Sequence, residues 1–128
     1  MNLAVLQYAP VFKDLETNLE VIHGHVESVN ADVIVFPELA TSGYFFLSRD
    51  EAMPFALSHD GKEMQGLVER ARAQKKVVVI GFAESAGDVL YNSALIAGHE
   101  IEPRVYRKTH RFYREYTTFE PGDTGFFV

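Results

Sequence analysis

Three side chains in this sequence could share one piece of chemistry, although they lie far apart along the chain. Glu38 directly follows an apolar run, in Val33-Ile34-Val35-Phe36-Pro37-Glu38. In open α/β sheets, ligand sites collect beyond the C-terminal ends of strands. A carboxylate placed there, beside Pro and aromatic residues, is open to partial desolvation, which makes a carboxylate a better general base near neutral pH. The alternatives are a solvated loop Glu and a helix-start carboxylate. Lys108 ends the stretch Arg104-Val105-Tyr106-Arg107-Lys108. An ammonium projecting into a closed pocket stabilises a developing oxyanion; taken alone, a surface Lys on a basic strand end is the plainer reading. Glu115, in Tyr113-Arg114-Glu115-Tyr116, would keep such a Lys charged and oriented, or would pair as an ordinary loop Glu with Arg111 or Arg114.

Other constellations are poorer. The five His (His23, His25, His59, His99 and His110) show no metal-ligand spacing. His23 and His25 are two apart on an expected helix and face different directions. The glycines stand scattered at turns, with no phosphate-cradling loop. Ser42, in Thr41-Ser42-Gly43-Tyr44, lacks the Gly two before and two after it that a nucleophile elbow needs.

The elements that must position these residues follow from apolar spacing. Leu3 to Leu6 reads as a buried first strand ending before Pro10. Thr17-Asn18-Leu19-Glu20 fits a capping box, with Thr17 as N-cap, and Leu19, Ile22, Val26 and Val29 give the helix that follows one apolar stripe, to an end near Asn30. Asp32 to Phe36 is a second buried strand, stopped by Pro37. Residues 39–59 are irregular, rich in aromatic and small residues, and read as a long functional loop or short helices. Asp60-Gly61-Lys62-Glu63 opens a second helix by the same capping logic, with Met64, Leu67, Val68 and Ala71 inward. Val77 to Phe82 is a third strand with no polar face, and Ser85-Ala86-Gly87-Asp88 is a turn. Val89 to Ala97 and Glu102 to Lys108 form a hairpin around Gly98-His99-Glu100. Gly125-Phe126-Phe127-Val128 begins a further strand. Continuous apolar strands alternating with amphipathic helices mean an α/β fold, a sheet covered by helices.

The 128 residues suit one domain or part of a larger one. A net charge of −6, from 12 basic and 18 acidic residues, argues against nucleic acid or an anionic membrane as the main partner. The one basic cluster, Arg104, Arg107, Lys108, His110, Arg111 and Arg114, is interrupted by apolar residues and reads as a strand edge and solvated loop. No Cys is present, which removes disulfides and thiolate metal sites from these residues. The N-terminal residues lack the basic and long apolar regions of a signal peptide, and the longest apolar runs are too short to span a bilayer, so a cytoplasmic protein is expected.

Several blocks, in order along the whole chain, resemble the nitrilase superfamily. Leu3-Ala4-Val5-Leu6-Gln7-Tyr8-Ala9-Pro10 is similar to its opening strand, and Asn18 sits where its first helix begins. Phe36-Pro37-Glu38-Leu39-Ala40-Thr41-Ser42-Gly43-Tyr44 resembles the block around its first catalytic Glu. Tyr91-Asn92-Ser93-Ala94 resembles its next strand, and Tyr106-Arg107-Lys108-Thr109-His110 the block around its catalytic Lys. Glu115, with Phe119-Glu120-Pro121-Gly122-Asp123 after it, resembles the stretch holding its second Glu.

The resemblance implies half of an α-β-β-α four-layer sandwich, usually homo-oligomeric. It implies hydrolysis of non-peptide C–N bonds in amides, nitriles or carbamoyl groups, with no metal or organic cofactor. Glu38 would be the general base, Lys108 the oxyanion stabiliser, Glu115 the support for Lys108, and Tyr44 a neighbour in the substrate pocket. The family's nucleophile is a Cys on the strand and turn after the one expected at Gly125, and this sequence ends first. Domain boundaries usually fall in polar linkers rather than in mid-strand, so a single domain truncated before its Cys is the expectation, inactive alone and leaving apolar surface uncovered. An aliphatic amide or N-carbamoyl amine is the expected substrate of the parent enzyme. The competing readings are a non-catalytic domain for binding or self-association and, more weakly, a hydrolase that uses Ser42.

Overall fold

The computed structural model describes residues 1–127. Leu3–Val5 (β1), Val33–Val35 (β2), Val77–Ala86 (β3), Val89–Gly98 (β4) and Ile101–Arg107 (β5) form one mixed sheet in the order β1-β2-β3-β4-β5. The first three strands are parallel and the last three antiparallel. Parallel neighbours need long crossovers. Leu15–Ser28 (α1) supplies the first, and Arg49–Ala52 (α2), a 3₁₀ turn at Met53–Phe55 and Lys62–Ala73 (α3) supply the second.

Both long helices lie on the same face. Ile22 and Val26 of α1, and Met64, Leu67, Val68 and Ala71 of α3, pack on Ile34, Val78, Ile80, Phe82, Leu95 and Ala97 of the sheet. The period of two sends the alternate residues to the other face. There Leu3 and Val5 are 62% and 70% exposed, so β1 is an edge strand buried on one side only, not the buried strand its apolar run suggests. At the far end of the β3–β4 hairpin that face is covered by a smaller cluster, in which Leu39, Phe46 and Ala52 meet Ala83, Leu90 and Phe119.

Other boundaries also shift. The N-cap of α1 is Asp14, whose carboxylate accepts from Thr17 N (3.0 Å) and Thr17 Oγ1 (2.8 Å), so Thr17 is the third helical residue rather than the cap. Asp60 does not cap α3; Gly61 does, and the Asp60 carboxylate takes the Ser58 hydroxyl instead. β3 runs on to Ala86 because its hairpin with β4 is paired as far as Ala86 and Val89, which leaves only Gly87 and Asp88 for the turn. Gly125 to Phe127 forms no strand: no neighbour offers it a ladder, and Phe126 is exposed. Val128 lies outside the described residues.

Candidate active site

The end of β2 delivers Glu38 to the open face. Pro37 and Glu38 pass so close over β3 that a Cβ on Gly81 would lie 2.5 Å from Pro37 O and 2.8 Å from Glu38 Cα. Gly81 O accepts from Ala40 N at 2.8 Å, and Leu39 between them takes φ 49°. A left-handed non-glycine residue costs energy that the surrounding contacts must offset. Asn18, buried on α1, holds this loop from behind: its Nδ2 donates to Val11 O (2.7 Å) and Thr41 O (3.0 Å), and its Oδ1 accepts from Val11 N (2.8 Å).

Lys108 follows β5, its N–H continuing the ladder to Asn92 O at 2.8 Å. Its ammonium donates to Glu38 Oε1 at 2.7 Å and to Glu115 Oε1 at 2.9 Å. Glu115 comes from a 3₁₀ turn, Tyr113–Thr117, and is buried. Its Oε1 also accepts from Tyr44 Oη (3.1 Å) and Asn92 Nδ2 (3.0 Å), and its Oε2 accepts the N–H of Phe112. Asn92 also donates to Glu38 Oε1 at 2.7 Å. The four residues singled out in the sequence thus converge on one spot, and Glu115 pairs with Lys108 rather than with Arg111 or Arg114. Asn92, quoted in the sequence only as part of a strand block, joins them; the available signal for a site role was a carboxamide inside the apolar run Val89 to Ala97.

The electrostatics are mutual. Burial pushes the Glu115 carboxyl up, but the Phe112 N–H, Lys108 and Asn92 outweigh it and hold it below the usual carboxylate range. Burial pushes Lys108 down, and the two carboxylates reverse that and raise it. Tyr44 is raised, first by burial and then by the adjacent Glu115 charge. The Glu38 side chain is 45% exposed, because it stands on the sheet face that neither long helix covers. Its Oε2 takes no hydrogen bond among the described residues and is open to receive a proton. Lys108 spends two of its three N–H donors on carboxylates, leaving one for an incoming oxygen.

Two recesses flank the cluster. One, of about 310 Å³, is bounded by Glu38, Gly81, Asn92, Tyr106 and Lys108. The other, of about 340 Å³, is nearly all apolar and lies beyond Tyr44 and Glu115, between Phe45, Phe46, Phe112 and Phe119. Ser42 is fully buried, and its hydroxyl donates only to Gly43 O among the described residues, so it has no base and no access to substrate. Within the basic cluster Arg107 and Lys108 are committed to Glu84, Asp123, Glu38 and Glu115, while Arg104, His110, Arg111 and Arg114 are exposed. Among the described residues no acidic and His group gathers in a metal-holding arrangement, and no helix is long and apolar enough to cross a membrane.

The family model for carbon-nitrogen hydrolases matches residues 2–128. A nitrilase of Pyrococcus abyssi is 44% identical over 99 residues, which cover 77% of this chain and 38% of that protein. An N-carbamoylputrescine amidase of Solanum tuberosum is 31% identical, with 100% of this chain and 46% of that protein covered. Among solved structures, a CN-hydrolase superfamily protein of Xanthomonas campestris, with an arsenic adduct in its active site, superposes with a TM-score of 0.79 at 20% identity. That superposition covers 93% of this chain and 46% of the other, and supports the fold alone. The chain spans less than half the length of these relatives.

Proposed function

The chain belongs to the carbon–nitrogen hydrolase family, and from that premise we propose that Glu38, Lys108 and Glu115 are the base and oxyanion half of an amide-hydrolysing site. The nucleophile, a Cys, comes from outside residues 1–128, which contain none. The observation that carries this reading is the Lys108 ammonium held between Glu38 Oε1 at 2.7 Å and Glu115 Oε1 at 2.9 Å on an accessible face of the sheet.

The chemistry then follows from the groups. Glu38 takes the thiol proton as sulfur attacks the amide carbon, forming the C–S bond and moving the C=O π pair onto oxygen. Lys108 faces that oxyanion with a fixed positive charge. Collapse of the adduct breaks the C–N bond, and Glu38 returns its proton to the leaving amine, giving a thioester. Water, deprotonated by Glu38, attacks the thioester carbon; the sulfur leaves and regains a proton, and the acid is released. Glu115 holds Lys108 protonated and aimed, with Asn92 and Tyr44 fixing the Glu115 carboxylate. The substrate is a small amide or an N-carbamoyl amine, the latter in keeping with the name of the potato relative. Its apolar part fits the recess between Phe45, Phe46, Phe112 and Phe119. Homo-oligomerisation belongs to the same proposal and is supported by the exposed Leu3 and Val5; light scattering tests it.

The deciding experiment reads the coding sequence past Val128 for a Cys and assays the complete polypeptide with Lys108→Ala and Glu38→Gln. A Cys in frame, with turnover lost in both variants and the fold kept, supports the proposal. Near-normal turnover by Lys108→Ala overturns it.

A further inference from the structure

We propose that Arg107 is a positioning residue for Lys108, clamping from the reverse face of the sheet the two ends of the segment that carries Lys108 and Glu115. The inference rests on the reading of Glu38, Lys108 and Glu115 as the reactive cluster.

Neighbouring residues of a strand point to opposite faces. Asn92 and Lys108 look onto the open face, and Ser93 and Arg107, directly paired between β4 and β5, look onto the helix side. There Arg107 meets Glu84, a fully buried carboxylate of β3. The guanidinium binds it as a fork, Nε to Oε2 at 2.9 Å and Nη2 to Oε1 at 2.8 Å. Ser93 Oγ donates to Oε2 at 2.6 Å, and His59 Nδ1 lies 3.2 Å from Oε1. The Tyr91 ring lies 4.1 Å from the guanidinium. Arg107 therefore ties β5, through Glu84, to the rigid hairpin.

The same residue ties the returning chain. Arg107 Nη1 donates to Asp123 Oδ1 at 3.0 Å, and the Arg107 N–H to Thr124 Oγ1 at 3.0 Å. Beside it Gly122 N donates to Lys108 O at 2.9 Å, at a place where any Cβ would strike the Arg107 carbonyl. The segment from Lys108 to Gly122, with Glu115 in its middle, is thus closed at its base by two backbone donors and by the Arg107 guanidinium, the side chain that ties the returning chain to Glu84. A buried ion pair contributes little net stability over an apolar pair of the same shape. What the fork supplies is direction: donors fixed in one plane bind Glu84 through two parallel hydrogen bonds and Asp123 through a third, an orientation that the rotating donors of an ammonium do not fix. Slack at this strand end would pass to Lys108 Nζ, where about 1 Å of misplacement costs roughly 100-fold in rate.

The test uses the complete polypeptide with its nucleophile. It compares Arg107→Met, Arg107→Lys and Asp123→Asn by kcat, KM, pH profile and the titration of Lys108 followed by NMR. The groups facing Lys108 are Glu38 from the end of β2, Glu115 from the 3₁₀ turn and, through Glu115, Tyr44 from the loop; Asn92 of β4 does not titrate. Arg107→Met is expected to lower kcat about 100-fold and to leave KM within about 3-fold. It should also bring the Lys108 titration and the alkaline limb of the profile down in pH. Arg107→Lys should recover part of the rate, and Asp123→Asn, at an exposed position, should move the same readouts less. A protein that loses stability alone, with the profile and the Lys108 titration unmoved, overturns the clamp. If Arg107→Met does not fold, Asp123→Asn decides on the same readouts. Near-normal turnover by Lys108→Ala would instead overturn the reactive-cluster reading, while the Lys108 titration would still decide whether Arg107 holds it.

Discussion

The two faces of the sheet are made by the same strands and obey different rules. On the helix side Ile34, Val78, Ile80 and Phe82 are sealed under α1 and α3, and shape decides what each position can hold. On the open side Glu38, Asn92 and Lys108 stand among half-covered aliphatics, and charge geometry decides. Alternation lets one backbone serve both, and it also couples them, because Arg107 and Lys108 are neighbours facing opposite ways.

The contrast breaks most sharply under substitution. Phe82→Ala on the covered face should cost about 3–5 kcal/mol, read from the urea midpoint. Lys108→Ala should cost about 10²–10³ in kcat of the complete enzyme, about 2.7–4 kcal/mol of transition-state stabilisation, with a smaller loss of stability than Phe82→Ala. Equal losses of stability from both would erase the distinction. Gly81→Ala sits on the seam between the faces. The added methyl must push Pro37 and Glu38 away, so we expect both a stability loss of about 1–3 kcal/mol and a rate loss of up to about 100-fold. A change in only one of the two would show that Glu38 can move without the sheet.

Smaller effects sharpen the picture. Glu115 sits below the ordinary carboxylate value of 4.5 and Lys108 above the ordinary lysine value of 10.5. The Glu115 contribution to stability is therefore complete above 4.5 and is lost as pH falls through its folded-state value. The Lys108 contribution is complete below 10.5 and is lost as pH rises through its folded-state value. Thermal melts of Glu115→Gln should accordingly be flatter than those of the unmodified protein on the acid side; parallel curves would contradict the direction given for Glu115. Val5→Thr, at the exposed edge, should change unfolding by no more than about 0.5 kcal/mol in this chain. A larger loss would show that something covers that face.

What the sequence revealed was local or repeated. The apolar stripe of α1, the inward face of α3 and the existence of the five strands follow from spacing alone. The blocks around Glu38, Lys108 and Glu115 pointed to residues that meet within hydrogen-bonding distance. What stayed hidden depended on pairing across strands. Glu84 reads as a break in an apolar run until Ser93 and Arg107 are known to lie beside it. The exposure of Leu3, Val5 and Glu38 depends on both helices choosing the same face, which apolar spacing does not encode. Asp14 displaced Thr17 as the cap because its carboxylate takes the Thr17 N–H and so starts the helix about one turn earlier.

The closed base of the segment after Lys108 makes it a discrete insert, anchored to the hairpin by Phe119 and Glu120. Residues 109–121 leave and re-enter the sheet at one point, fixed by the Gly122–Lys108 hydrogen bond and the Arg107–Asp123 pair. A protein engineer could therefore exchange that insert between relatives, keeping Glu115 in place, and retune the aromatic lining contributed by Phe112 and Phe119 without recutting the sheet that carries it.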